Sequence, residues 1–200
     1  MIPQRTRKTG IWLLTVMVVI GGCASADRAA LPTVDLDPEA VKPGLTVYYT
    51  SGFFRHADMM PSFESVKDAG WSGTPVARLN HHFGSGEVFD SGKNRGIGVY
   101  LDGVVHLQEP GTYRFAALSN DGIRVWIGSE MVVDDPYWHA QGDRRTPEGA
   151  FHAPAARWYP IRIQYFQRKG TAALEVYWRR PGDVAPSIIP ADVLGHLPGS

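Results

Sequence analysis

Ser119-Asn120-Asp121-Gly122-Ile123-Arg124-Val125-Trp126-Ile127-Gly128 is the stretch that decides the fold. Asn120-Asp121-Gly122 is a polar tight turn, in which the glycine supplies positive φ without steric cost. After it, Ile123, Val125 and Ile127 alternate with Arg124 and Trp126, the period of a half-buried strand. Before it, Tyr113, Phe115 and Ala117 alternate with Arg114, Ala116 and Leu118. The same period returns in Ile161-Arg162-Ile163-Gln164-Tyr165 and in Leu174-Glu175-Val176-Tyr177-Trp178. Glu109-Pro110-Gly111, Gly128-Ser129 and Arg168-Lys169-Gly170 punctuate these runs as turns. Short alternating strands at this spacing predict an all-β protein, an antiparallel sandwich or barrel. One short helix is predicted over Pro61 to Ala69, with Ser62 near its start and Gly70 after its end.

Composition agrees. The 200-residue chain holds 22 Gly and 15 Pro, a turn-rich balance, and its length suits about one domain. Twenty basic and 20 acidic side chains cancel, which argues against nucleic acid as a partner. A single cysteine excludes an internal disulfide and a cysteine-based zinc cluster.

That cysteine ends a targeting segment. Arg5, Arg7 and Lys8 precede an apolar run from Ile11 to Ile20. A helix over it would be roughly 20 Å long at ~1.5 Å per residue, short of the ~30 Å hydrocarbon core. It reads as a signal-peptide core. Its ending, Ile20-Gly21-Gly22-Cys23, resembles the lipobox of bacterial lipoproteins. The resemblance implies cleavage before Cys23, a diacylglycerol thioether on its sulfur, and acylation of the freed amine. Each buried CH₂ contributes ~0.8 kcal/mol, so two or three chains anchor stably. Residues 1–22 are thus expected to be a lipoprotein signal peptide, and the membrane a partner through the lipid. Ala24 rather than Asp after Cys23 implies the outer membrane in a Gram-negative host. Residues 23–42 comprise the lipidated cysteine and a flexible linker, whose 19 residues after Cys23 reach about 24 Å. The cleaved chain carries 17 positive and 20 negative side chains, a net charge of −3.

Residues 43–198 are assigned to one β-sandwich domain. Pro110-Gly111-Thr112-Tyr113-Arg114-Phe115, the turn stretch 119–128, Met131-Val132-Val133-Asp134, Tyr159 to Phe166 and Ala173 to Trp178 stand in a specific order. Gly44 to Tyr49 suits a first strand and Ile188 to Leu194 a closing segment. Together they resemble the domain family named after the fourteen-kilodalton region of anthrax protective antigen, over about Gly44 to Leu197. The resemblance implies a β-sandwich that binds carbohydrate in adhesins, flocculins and glycosidases. It also implies a calcium ion at the sandwich tip, held by two successive Asp residues in cis and by a side chain from a second loop. Here Asn120-Asp121 takes the place of the Asp pair, so Asn120 and Asp121 are the candidate metal ligands with one carboxylate replaced by an amide. The second-loop ligand should fall near Phe166-Gln167-Arg168, where neither Asn nor Asp stands and Arg168-Lys169 are positive. The turn is also explained as a purely structural one, or as a direct sugar contact without metal.

A second candidate region is the loop opened by Asp134-Asp135-Pro136-Tyr137-Trp138-His139, running to about Pro147. Aromatic faces stack on the apolar faces of pyranose rings, and carboxylates accept from hydroxyls. The candidate carbohydrate-binding set is therefore Asn120, Asp121, Asp134, Asp135, Tyr137, Trp138 and His139. The alternative is that Trp138 plugs the end of the sandwich and Asp134 caps a turn. His81-His82, placed in a Gly-rich loop from Leu79 to Arg95, point to opposite faces and make a poor metal clamp. Trp178 shares its face with Leu174 and Val176 and is assigned to the core, whereas Trp71, Trp126 and Trp158 read as core or strand-face residues. The basic pairs Arg144-Arg145, Arg168-Lys169 and Arg179-Arg180 read as solvated surface, with an acidic sugar or phosphate as the alternative.

No Gly-x-Ser-x-Gly, phosphate loop, dinucleotide fingerprint or His-Glu-x-x-His occurs. Scattered carboxylates leave a paired-carboxylate glycosidase open on the residues alone, but the resemblance implies a non-enzymatic binding module. The reading is a cell-envelope lipoprotein that binds a glycan, a glycoprotein or an envelope polysaccharide. The alternatives are a scaffold that binds another protein and an accessory subunit of a surface hydrolase.

Overall fold

The computed structural model describes residues 36–140 and 145–199. The signal peptide, Cys23 and most of the linker lie outside the described residues. In chain order the strands are β1 (Lys42–Pro43), β2 (Thr46–Ser51), β3 (Trp71–Ser72), β4 (Asn80–Gly84), β5 (Ile97–Leu107), β6 (Gly111–Asn120) and β7 (Ile123–Ile127). They continue as β8 (Glu130–Asp135), β9 (Gly149–Ala153), β10 (Arg157–Gln167), β11 (Ala172–Arg179), β12 (Ser187–Ile188) and β13 (Leu194–His196). Every pairing among them is antiparallel, which hairpin turns of a few residues can connect.

Two sheets form. One runs β1-β13-β5-β10-β7-β8, with β2 also on β5 and β3 on β2. The other runs β12-β11-β6-β9, with β4 also on β11. The alternation seen in the sequence sets their inner faces. Tyr159, Ile161, Ile163 and Tyr165 from β10 meet Tyr113, Phe115 and Ala117 from β6 and Leu174, Val176 and Trp178 from β11 in one buried core. Trp178 packs on Tyr113 with ring centres 5.7 Å apart. Of the other three read as core or strand-face residues, Trp126 and Trp158 are half-buried on strand faces and Trp71 lies at the surface. Each sits on the outer side of its pleat or on a two-residue strand, with Trp158 stacked on His106 and Trp71 against Tyr49.

The outer face of the first sheet is partly covered. Phe54, Ala57, Met60 and Val66 pack on Tyr100 and Phe166, which point away from the main core. Val66 lies on the one α-helix among the described residues, α1 (Phe63–Ala69). It starts two residues later than predicted because Ser62 is its N-cap, the side-chain oxygen accepting from the Ser65 N–H. The segment from Leu79 to Arg95 is also not all loop, since Asn80–Gly84 pairs with β11. His81 there stacks on Phe83, while His82 meets Glu175 at 2.7 Å. Their opposite directions are those of neighbours on a strand.

Candidate functional site

The turn 120–122 carries the chain from β6 in one sheet to β7 in the other, so it caps one end of the sandwich. β2, β4 and β10 end at that end too, and β5 and β11 begin there. The Asn120–Asp121 peptide is cis. Asp121 is buried, and its backbone N–H donates to the Phe166 carbonyl at 3.0 Å. Its carboxylate reaches two other loops. One oxygen accepts from the His139 N–H at 3.1 Å, the other from the Arg168 N–H at 2.6 Å. Burial pushes the Asp121 carboxyl up, against the pull of these backbone donors. Gly122 does not take the positive φ expected of the turn; it is required because a Cβ would lie 2.7 Å from the Phe166 ring and 2.9 Å from the Tyr137 carbonyl oxygen.

Asn120 is buried as well. Its amide Nδ2 donates to the Thr171 carbonyl at 2.5 Å, and its own carbonyl accepts from the Tyr165 hydroxyl. Gln167, buried beside it, donates to the Gly170 and Thr171 carbonyls at 3.2 Å each. The β10–β11 turn is thus fixed from below by two amides.

Above these residues lies a cleft of about 330 Å³. Asn120 and Asp121 form its floor, Trp138, His139 and Ala140 one wall, and Arg168 to Thr171 the other. The Trp138 ring is 54% exposed, and the Arg168 guanidinium sits over it, 5.3 Å from the ring centre. His139 donates from Nε2 to Asp135 at 3.1 Å and from Nδ1 to the Ala140 carbonyl at 2.9 Å. Both partners are acceptors, and Asp135 foremost pushes the imidazole up to about 9, so the ring is cationic at neutral pH.

Of the residues singled out in the sequence, Asn120, Asp121, Trp138 and His139 meet in this cleft. Asp134, Asp135 and Tyr137 do not line it. Asp134 and Asp135 are still on β8, where neighbouring side chains point to opposite faces. Asp134 stands directly across from Arg124, which it holds at 2.8 Å while Asp58 holds the same guanidinium at 2.6 Å. Asp135 points the other way and holds His139 from behind. Tyr137 is turned outward and meets the His56 ring edge-on at 4.6 Å. Backbone bonds from Ala57 to Pro136 at 2.8 Å and from Trp138 to Arg55 at 3.1 Å pin this loop to the segment before α1. That clamp was missed as a site element, and so was the part of the opposite wall from Gly170 to Thr171, whereas the loop at Phe166-Gln167-Arg168 was expected beside the turn and Arg168-Lys169 had an acidic sugar or phosphate as its alternative.

The donor set does not fit calcium. The ion takes about six to eight oxygens at ~2.3–2.6 Å. Here both Asp121 oxygens already accept backbone N–H bonds, Asp121 is the one carboxylate lining the cleft among the described residues, and Arg168 and Lys169 bring positive charge to it. Among the described residues no three His, Cys, Asp or Glu side chains group around a common point. A larger concavity of about 670 Å³ lies at the same end, between Gly52-Phe53 and the stretch from Gly92 to Gly96. Its one carboxylate, Glu87, accepts from the Gly92 N–H at 2.5 Å.

The sandwich with an aromatic cleft at its tip agrees with what the chain resembles. The PA14 domain matches residues 41–192. The chain belongs to the PA14 domain family. A curated relative, the anti-sigma-I factor RsgI3 of Acetivibrio thermocellus, is 31% identical over 78 residues, covering 38% of this chain. This chain spans only 12% of that protein's length. An anti-sigma factor domain-containing protein has the same fold at TM-score 0.62 and 20% identity, over 80% of this PA14 chain and 50% of its own. The epithelial adhesin 9 A domain of Candida glabrata, solved with Galβ1-3GlcNAc, gives TM-score 0.62 at 14% identity, over 83% and 95% of the two chains.

Proposed function

We propose that this PA14 protein is an envelope lipoprotein, acylated at Cys23, that binds a glycan in the cleft between Trp138 and the β10–β11 turn. The observation that carries the reading is the cleft itself. An exposed indole stands beside polar groups that converge from three loops, and Asp121 holds those loops in register. This is the composition a sugar needs: a flat apolar face and fixed polar groups around it. An adhesin of the same fold was solved with a disaccharide, which supports the assignment. The reading is of a binding protein rather than an enzyme.

The test is a glycan array probed with the full chain in detergent, beside Trp138→Ala. Binding that the substitution abolishes supports the reading, and a blank array, or binding indifferent to Trp138, refutes it.

A protein partner is the second reading. Phe53, Met59, Tyr137 and Trp138 are all more than half exposed, and they come from the two segments clamped together at this end. Sugar-independent capture of one envelope protein that is lost on Tyr137→Ala would favour it.

A further inference from the structure

Three basic pairs stand in the sequence, and the fold treats them differently. Arg179 is held by Glu148 at 2.6 Å and Arg180 by Asp183 at 3.0 Å. Arg145 lies over the Tyr177 ring. Arg124, Arg162 and Lys67 are also ion-paired. Arg168 and Lys169 line the cleft with no carboxylate in ion-pair reach among the described residues. The Arg168 Nε is buried in this wall and meets no acceptor there, so nothing in the wall compensates the charge.

Among the described residues no acid near the cleft neutralises Arg168 or Lys169. Asp121 lies beneath the floor with both oxygens on backbone N–H groups, and Asp135 is behind His139, bonded to it. His139, with Nε2 on Asp135 and Nδ1 on the Ala140 carbonyl, stands opposite the two basic side chains as part of a closed ion pair, so the uncompensated charge of the cleft is that of Arg168 and Lys169.

We infer that the cleft recognises a carboxylate-bearing sugar, and does so through Arg168 and Lys169 without calcium. This rests on the glycan reading above and names its substrate class. A planar guanidinium matches a carboxylate in two parallel hydrogen bonds, a geometry a neutral hydroxyl pair does not exploit. The Arg168 guanidinium lies over one face of the Trp138 ring, so the indole steadies the charge and offers the sugar ring what remains exposed of its surface. The cleft volume of about 330 Å³ is at the small end of the ~300–1,000 Å³ usual for ligand sites, so one or two sugar units are read rather than a long chain.

The test uses the full chain in detergent, with excess EDTA throughout. The probes are a panel of hexuronic-acid oligomers and sialylated glycans, each beside its carboxyl-reduced counterpart. The expected result is binding of acidic members that carboxyl reduction abolishes. Arg168→Gln or Lys169→Gln should weaken it roughly ten- to hundredfold at an unchanged melting temperature, and Arg179→Gln should leave it alone. Equal binding of acidic and reduced probes, or binding that appears only when calcium replaces EDTA, overturns the inference and leaves the glycan reading standing. A panel blank in both conditions overturns both.

Discussion

Replacing Asp121 with Ala should loosen the whole tip of the sandwich, and the size of the effect follows from its bonds. The carboxylate accepts from the backbone N–H groups of His139 and Arg168, which belong to different loops. Ala leaves both donors facing a protein interior. An unsatisfied buried donor costs about 1–3 kcal/mol. Burial raises the Asp121 carboxyl, so part of the gain is already offset by desolvation in the parent. The net loss should be about 2–4 kcal/mol, a fall of roughly 6–12 °C in melting temperature for a domain of this size. Asp121→Asn keeps one acceptor but turns an NH₂ toward the other donor, and should fall between parent and Ala. The assay is thermal unfolding by circular dichroism, each variant with EDTA and with millimolar calcium. Calcium should leave every curve in place, because a ligand raises the melting temperature only if the native state binds it. Asp121→Ala melting within a degree of the parent would refute the role of this carboxylate as the tie. A calcium-dependent rise in the parent that Asp121→Ala lacks would refute the judgement that the donor set does not suit the ion.

His139 gives a pH signature. Its folded pKa of about 9 lies above the ordinary ~6.5, so its stabilisation is complete below about 6.5 and is lost as pH rises through about 9. With the ring one-third exposed, about 1–2 kcal/mol is involved; His139→Gln should flatten the unfolding curve over that window, and a parent curve already flat would sink the assignment. Trp178→Ala removes a buried indole packed on Tyr113 and should cost about 3–5 kcal/mol by urea unfolding. Ser62→Ala removes the N-cap bond of α1 and should cost about 0.5–2 kcal/mol, measured the same way. Cys23→Ser should abolish incorporation of an alkyne-tagged palmitate and move the protein from the membrane to the soluble fraction; continued labelling would disprove lipidation at this residue.

The sandwich was legible in the sequence because burial on one face of a strand repeats every two residues, and Tyr113, Phe115, Ile161, Ile163, Leu174 and Val176 keep that register without interruption. β4 was not legible. Its sequence Asn80-His81-His82-Phe83-Gly84 has no apolar alternation, and it is a strand because β11 offers an unpaired edge. The same division runs through the site. The turn Asn120-Asp121-Gly122 is a local object, and its place at the tip follows from the two strands it joins. Asp134-Asp135 looked like the start of a loop, but hydrogen bonding to β7 extends the strand through both. Strand geometry then sends Asp134 to Arg124 and Asp135 to His139, so no composition argument could have kept them together. Arg168 and Lys169 show the converse. Alone, a basic pair at a hairpin turn reads as solvated surface, as Arg179-Arg180 also does. What separates the two pairs is the company the fold supplies: Glu148 and Asp183 neutralise one, while Asp121, below the other, bonds only to backbone N–H groups. The unneutralised charge of Arg168 and Lys169 is a property of the assembled tip, because it depends on which acids the fold brings to the β10–β11 turn and which it sends elsewhere.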